Sequence, residues 1–309
     1  MPPHPSQRPP TLDAVAAARW EALAAAPSNT ASPWLHEEVA RRMEERLQWI
    51  VKKPARWMHW EPLRGGINIH ARLAQRYPQA QCCVVQTPAR AIPGVRRALS
   101  PPWWDLRRWR SPGLRFDTDG QLFQMLWANM ALHMDADPQS LIARWHSMLE
   151  PDGFLMFSCF GPDTLRELRS LYTALAWPAP AHEFTDMHDW GDMLVQAGFA
   201  EPVMDMERIT LTFSSSAHLL AELRGLGRNL HVQRFAGLRG RRWHADLQER
   251  ITQGLADPAG GGRLRLQFEI IYGHAFKPQP RITMRPQTSV SLDDFRAALR
   301  NGSTAETKD

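Results

Sequence analysis

The sequence predicts an α/β fold built on a mostly parallel sheet. Two stretches carry the prediction. Between Gln121 and Leu175 an apolar run (122–129) is followed by a helix start at Asp137-Pro138 and a helical pattern to Leu149. A turn at Pro151-Asp152-Gly153 leads into a second apolar run, Phe154 to Phe160, and then into another helical stretch. Strand, helix, strand, helix in that order is a parallel βαβα unit. The second stretch, residues 55 to 85, reads as strand, helix, strand. A third observation concerns chemistry: Asn129, His133, Ser158 and Gly161, polar or small, cluster where the strands end. In an open α/β sheet that edge is where ligands bind.

Taken in order, residues 1 to 11 are proline-rich and read as disordered, and Leu12 to Ala26 is alanine-rich and helical in propensity. Residues 1–33 thus form an N-terminal extension. Trp34, Leu35, Val39, Met43, Leu47 and Ile50 fall close to helical spacing, with acids in the first turn, lysines at the end, and Pro54 as the stop. A strand is expected over 55–60, a loop over 61–66, a helix over 67–76 ended by Tyr77-Pro78, and a short buried strand at Cys82–Val85. Residues 87–115 defeat assignment. Thr164 and Glu167 form a capping-box pattern before Leu165, Leu168, Leu171 and Leu175. A helix follows over 185–197 with Gly198 as its C-terminal stop. Next come a strand over 204–213, a helix over 216–226, a basic loop over 229–243 and a strand over 264–276, which shows Leu266, Phe268, Ile270 and Tyr272 to one face. The two strands can pair antiparallel across an insertion at about 227–263. Ser291–Arg300 reads as a short helix, within a C-terminal segment 286–309; the main domain spans 34–285.

The totals fit an ordinary globular protein: 309 residues, 43% hydrophobic, 22% charged. No run approaches the roughly eighteen apolar residues of a membrane span, and the N-terminus has no apolar signal core. Three cysteines, two adjacent at Cys82-Cys83, suggest no disulfide framework, so a cytoplasmic protein with reduced thiols is expected. The net charge of +5 is almost all arginine. An acidic partner is one explanation, and a solvated surface is the plainer one.

Gly153-Phe154-Leu155-Met156-Phe157-Ser158-Cys159-Phe160-Gly161-Pro162-Asp163-Thr164-Leu165-Arg166-Glu167-Leu168 resembles the fifth strand and following loop of class I S-adenosylmethionine (SAM) methyltransferases. In particular it is similar to the malonyl-acyl-carrier-protein O-methyltransferase family of biotin synthesis. Trp127 to His133, Ala197-Gly198-Phe199 with Pro202 to Asp205, and Phe268 to Pro278 resemble other motifs of that family, in the right order. The resemblance covers roughly residues 34 to 280. It implies a Rossmann-like α/β fold: a seven-stranded, mostly parallel sheet with an antiparallel last strand and helices on both faces. It also implies SAM across the strand ends and a malonyl carboxylate on acyl carrier protein as acceptor. A carboxylate is already nucleophilic, so positioning and desolvation do the work and no general base is required.

The upstream half departs from that pattern. The family's first strand runs into a loop of the form Asp-x-Gly-x-Gly-x-Gly, whose glycines let the backbone approach the cofactor. Here the stretch is His59-Trp60-Glu61-Pro62-Leu63-Arg64-Gly65-Gly66, and only the last glycines remain. The acid that ends the family's second strand and holds the ribose is Gln86 here, and an acid before the fourth strand's core is Gln124. Two readings stay open: SAM held in a re-shaped pocket with new contacts from Glu61 or Arg64, or a catalytically silent homologue acting as a scaffold or regulatory partner.

The cofactor-binding candidates are His59, Glu61, Gly65, Gly66, Gln86, Asn129 and Met130; Asn129, His133 and Ser158 are candidates for positioning, and no catalytic base is assigned. The plain alternatives are a polar loop cap for Asn129 and His133, core filling for Trp60, and a simple turn at Gly161-Pro162. His182, His188, Asp186 and Asp189 match no zinc spacing, so no metal is expected. Arg234, Arg239, Arg241 and Arg242, with Arg228, are candidates for binding acyl carrier protein or another acidic protein. Aromatics interleave them, but no nucleic-acid motif accompanies them, which leaves nucleic-acid binding as the weaker alternative. Internal pairing with acids of the same chain is the plain one.

Overall fold

Alternation of apolar side chains in the strands fixes the architecture. In the computed structural model, which describes residues 12–23, 31–100, 113–257 and 260–280, Trp57, Met125, Trp127, Phe154 and Met156 lie in one core. Met58, Leu126, Ala128, Leu155 and Phe157 lie in the other, on the opposite face of the sheet. Contacts group Met1–Pro278 into one compact unit and Gln279–Asp309 into another.

The strands are β1 (Arg56–Trp60), β2 (Gln81–Val85), β3 (Phe123–Ala128), β4 (Leu149–Phe160), β5 (Ala200–Phe213) and β6 (Leu264–Phe276). Their order across the sheet is β2-β1-β3-β4-β6-β5. The first four run parallel; β6 is antiparallel to both β4 and β5, as the alternating patterns of β5 and β6 lead one to expect. The sheet thus has six strands among the described residues where seven were expected. In the seventh place, beside β2, stands a single residue. Arg115 bridges Cys83, its N–H bonding Cys82 O at 3.0 Å and its carbonyl accepting from Val84 N at 2.8 Å. The turn at Asp119 and Gly120, both with positive φ, then carries the chain on to β3.

The helices are α1 (Ala14–Leu23), α2 (Trp34–Arg46), α3 (Ile69–Arg76), α4 (Ile92–Leu99), α5 (Pro138–Met148), α6 (Arg166–Ala174), α7 (Met187–Gln196), α8 (Ser216–Leu226) and α9 (Arg241–Gly254). Helix α4 lies in the stretch that resisted assignment, of which 101–112 fall outside the described residues, as do 1–11 and the helix expected over 291–300. β4 starts at Leu149, before the expected turn, because Leu149 already pairs with Phe123.

Two further expectations are corrected. Thr164 and Glu167 do not cap α6, whose N-cap residue is Leu165 with no side-chain bond. β6 extends past the end of β4, so its backbone at 267–269 needs partners on that side. Thr164 Oγ1 donates to Glu269 O at 3.0 Å and accepts from Glu269 N at 3.1 Å, while Glu167 accepts from Gln267 N at 3.3 Å. The basic loop also ends early, at Gly240, because α9 begins at Arg241. Leu247 and Ile251, four apart, are buried, and Gly254 lies close to α6: a Cβ there would meet Leu171 at 2.9 Å.

Candidate functional site

A cleft of about 550 Å³ opens over the C-terminal ends of β1, β2 and β3. That volume suits a small-molecule ligand. Its walls come from the loop after β1 (Glu61, Leu63, Arg64), the end of β2 (Thr87), the loop after β3 (Met130, Ala131, Asp135) and the start of α2 (His36). Helix α1 contributes Ala14, Ala17, Trp20 and Glu21 from above. α1 is moored at its start by Asp13 N bonding Leu230 O at 2.9 Å and by an Arg234–Asp13 ion pair of 2.5 Å. Its Trp20 ring lies between the guanidiniums of Arg64 and Arg228, 5.4 and 5.0 Å from the centroid.

The loop after β1 is a single helical turn, Pro62–Gly65, with Pro62 at its first position. Glu61 precedes it in the left-handed region (φ 50°) and is buried. Its carboxyl accepts from Gln86 Nε2 at 2.6 Å and from Thr87 N at 2.8 Å. Burial pushes that carboxyl up to about 7, against the lowering influence of Arg64 and Thr87. Gln86 spends both ends of its amide internally: Nε2 also donates to Thr87 O at 3.0 Å, and Oε1 accepts from Leu63 N at 3.2 Å. Thus the carboxyl at the end of β2 comes from β1's Glu61, across Gln86. Gln124 has a separate duty, accepting from Ala55 N at 2.6 Å.

The two remaining glycines lie beneath the cleft. A Cβ on Gly65 would stand 2.5 Å from Asn129 O, and Gly66 has φ +118°. Asn129 ties this floor together. Its Nδ2 donates to His36 O at 2.8 Å and to Gly65 O, and its Oδ1 accepts from Ser158 Oγ at 2.6 Å. Ser158 also receives Met130 N, at 3.0 Å on its carbonyl and 3.2 Å on its Oγ. Of these, Met130 lines the cleft, and Asn129 and Ser158 are buried behind it.

The sequence-predicted residues separate at this point. Glu61 and Met130 reach the cleft; Gly65, Gly66, Gln86, Asn129 and Ser158 support it. His59 faces the core, its ring stacked on His70 at 5.6 Å. His133 is buried against Phe160 and Phe184, with neither ring nitrogen bonded. Arg234 is held by Asp13, and Arg239 stacks on Phe235 and Trp243 (4.3 and 3.9 Å). Arg241 and Arg242 are exposed in the first turn of α9. Trp20, His36 and Arg224 also line the cleft, though nothing in their local pattern marks them out.

His36 and Arg64 share an unusual feature. Nδ1 of His36 stands 2.8 Å from Arg64 O and so carries the proton, leaving Nε2 as a bare acceptor. Burial holds this ring down to about 4, so it is neutral. Both His36 Nε2 and Arg64 Nε are buried without a partner. Both residues line the cleft, while these two nitrogens are sealed beneath its surface.

No protein-family model matches the chain. Solved structures agree with the fold: a methyltransferase-type protein of Bacillus halodurans C-125 and the YcgJ protein of Bacillus subtilis each superpose with a TM-score of 0.50. They share 13% and 11% identity and cover 78% of this chain and 100% and 99% of their own. Relatives by sequence are nearer. The malonyl-[acyl-carrier protein] O-methyltransferase of Gallionella capsiferriformans is 36% identical over 267 residues, covering 84% of this chain and 89% of its own. The enzyme of the same name from Laribacter hongkongensis is also 36% identical (80% and 84% covered), and that of Nitrosospira multiformis 33% (85% and 90%). With a Rossmann-like sheet, a cleft at its strand ends and relatives matched over most of both chains, this protein belongs to the malonyl-[acyl-carrier protein] O-methyltransferase family.

Proposed function

We propose that the chain transfers a methyl group from SAM to the free carboxylate of a malonyl group on acyl carrier protein, in biotin synthesis. The carrying observation is the cleft at the strand ends, in whose wall His36 and Arg64 both stand. Arg64's guanidinium, in that wall, suits the carboxylate at the amino-acid end of SAM. At the other end Glu61 takes the part of the missing acid of β2, because its carboxyl already reaches Thr87 N. Bound SAM supplies an electrophilic methyl on a sulfonium. The chain orients the acceptor, and α1 keeps water from the cleft. No group need take a proton, since the acceptor reacts as its carboxylate.

One observation favours the silent-homologue reading: Glu61, Leu63 and Gln86 close the loop with bonds among themselves rather than toward a ligand. Calorimetry separates the two. Heat on titrating SAM into the purified protein, and transfer of a labelled methyl to malonyl-acyl carrier protein, support the enzyme. No heat at millimolar cofactor sinks it in favour of the scaffold.

The carrier protein docks on Arg239, Arg241 and Arg242. The latter two stand at the start of α9, where the helix dipole disfavours cations by about 0.3–1 kcal/mol each. They have no acidic partner among the described ion pairs. Changing all three to glutamate is expected to raise KM for the carrier-bound acceptor roughly tenfold at low salt. The dipole gain at Arg241 and Arg242 and the loss of Arg239's stacking oppose one another, so the thermal midpoint should move by no more than a few degrees. An unchanged KM refutes this docking surface.

A further inference from the structure

Beside the cleft lies a second, smaller pocket of about 100 Å³. The two share Met134, Leu226 and Arg228 in their walls. The rest of the small pocket is largely apolar, with Phe160, Leu165, Leu168, Ala181, Phe184 and Phe268 among its lining. Arg228 therefore stands at the junction of a polar cleft and an apolar recess.

Its guanidinium is fixed by the protein on one side only. Nη1 donates to Arg224 O and to Gly227 O (2.9 Å), and the plane lies against Trp20. Neither Arg228 nor Arg224, which also lines the cleft, pairs with a carboxylate among the described residues. Arg228's pKa is lowered, first by burial and then by the charge of Arg224. Both arginines are exposed, and a cation oriented by its own chain and lacking a counter-ion is suited to an anionic ligand.

We infer that Arg228, assisted by Arg224, binds the acceptor's carboxylate, and that the small apolar pocket takes the short carbon chain and thioester attached to it. This rests on the methyl-transfer reading and adds the acceptor site to it. The recess holds only a few heavy atoms, so it selects a short acyl group. In the reaction a carboxylate oxygen forms a bond to the methyl carbon as that carbon's bond to sulfur breaks, and the electron pair of the broken bond stays on sulfur. The acceptor's negative charge disappears with the transfer. The product is a neutral ester, to which Arg228 no longer offers a charge pair, so the same residue that captures the substrate favours release of the product.

The test is calorimetric and needs no turnover. Malonyl-pantetheine and its methyl ester are titrated separately into wild type, Arg228→Met and Arg228→Lys. Wild type should bind the free acid at least tenfold more tightly than the ester, in line with the worth of a charge-assisted hydrogen bond. Arg228→Met should lose that preference, and Arg228→Lys should keep part of it. Wild type that does not bind the acid, or binds acid and ester alike, overturns the inference even where the variant is unstable. So does an Arg228→Met protein that keeps the preference. Failure to bind SAM with the acid–ester preference intact would sink the methyl-transfer reading and leave the carboxylate site standing.

Discussion

Lowering the pH from 7 to about 5.5 is expected to remove about 5 kcal/mol of the stability of this protein. His36, His59, His70, His133 and His182 are buried, each at most 7% exposed. Burial holds His36, His70 and His182 down to about 4, and His59 and His133 well below the usual imidazole range. Each is neutral in the folded chain, whereas the unfolded chain takes up protons from about pH 6.5 downward. The stability they contribute is complete above pH 6.5 and is lost as the pH falls toward 4. Each costs up to about 1.4 kcal/mol per pH unit once the unfolded imidazole is protonated, and about 1.2 kcal/mol in all between pH 7 and 5.5. Glu61 runs the other way: raised to about 7 in the fold, it gains stability as pH falls from 7 toward its ordinary value of 4.5. That offsets about one histidine. Four histidines' worth is roughly 5 kcal/mol over that range, comparable with the lower end of a domain's stability, about 5–15 kcal/mol. Urea midpoints measured from pH 7.5 to 5.5 should therefore fall steeply. His133→Leu, which removes two unbonded buried nitrogens, should make the fall smaller by about 1.2 kcal/mol over this range. A midpoint that is flat over this range would refute the account.

Replacing Asn129 by alanine is expected to cost about 3 kcal/mol and to dismantle the floor of the cleft. The substitution leaves the buried carbonyls of His36 and Gly65 without their shared donor, at about 1–3 kcal/mol each. Ser158 also loses its acceptor, although it keeps Met130 N. For a domain of this size the thermal midpoint should drop by roughly 6–12 °C. SAM affinity should fall too, because the residues released include the segments that carry His36 and Arg64. Asn129→Asp makes a sharper control: a carboxylate can donate to neither carbonyl and repels both, so it should be at least as damaging at neutral pH. Thermal scans and SAM titrations of both variants decide this. If either variant melts with wild type, Asn129 is no more than a loop cap.

The sheet was readable because its instructions are local. Alternation in 264–276, the helical spacing of Ser216–Leu226 and the glycine after Gln196 all act within about a dozen residues. The capping-box reading of Thr164 and Glu167 used equally local rules and failed. The free edge of β6, about a hundred residues later, competed for those side chains and won. Helix α9 was missed because Leu247 and Ile251 offer only a thin apolar stripe inside an arginine-rich stretch.

The sequence by itself determined the parallel α/β sheet, the strand-end edge over which the cleft opens, the antiparallel β5–β6 pair and the family to which the chain is related. It also showed that the glycines and the acid of the usual cofactor loop are missing. Only the tertiary structure decided what stands in their place. Glu61 turns toward Gln86, 25 residues on, and Asn129 toward His36, 93 residues back, while Arg228 meets Trp20 of α1. Periodicity is written in neighbouring residues, whereas the partner a buried polar group finds depends on which distant segments folding brings within about 3 Å of it.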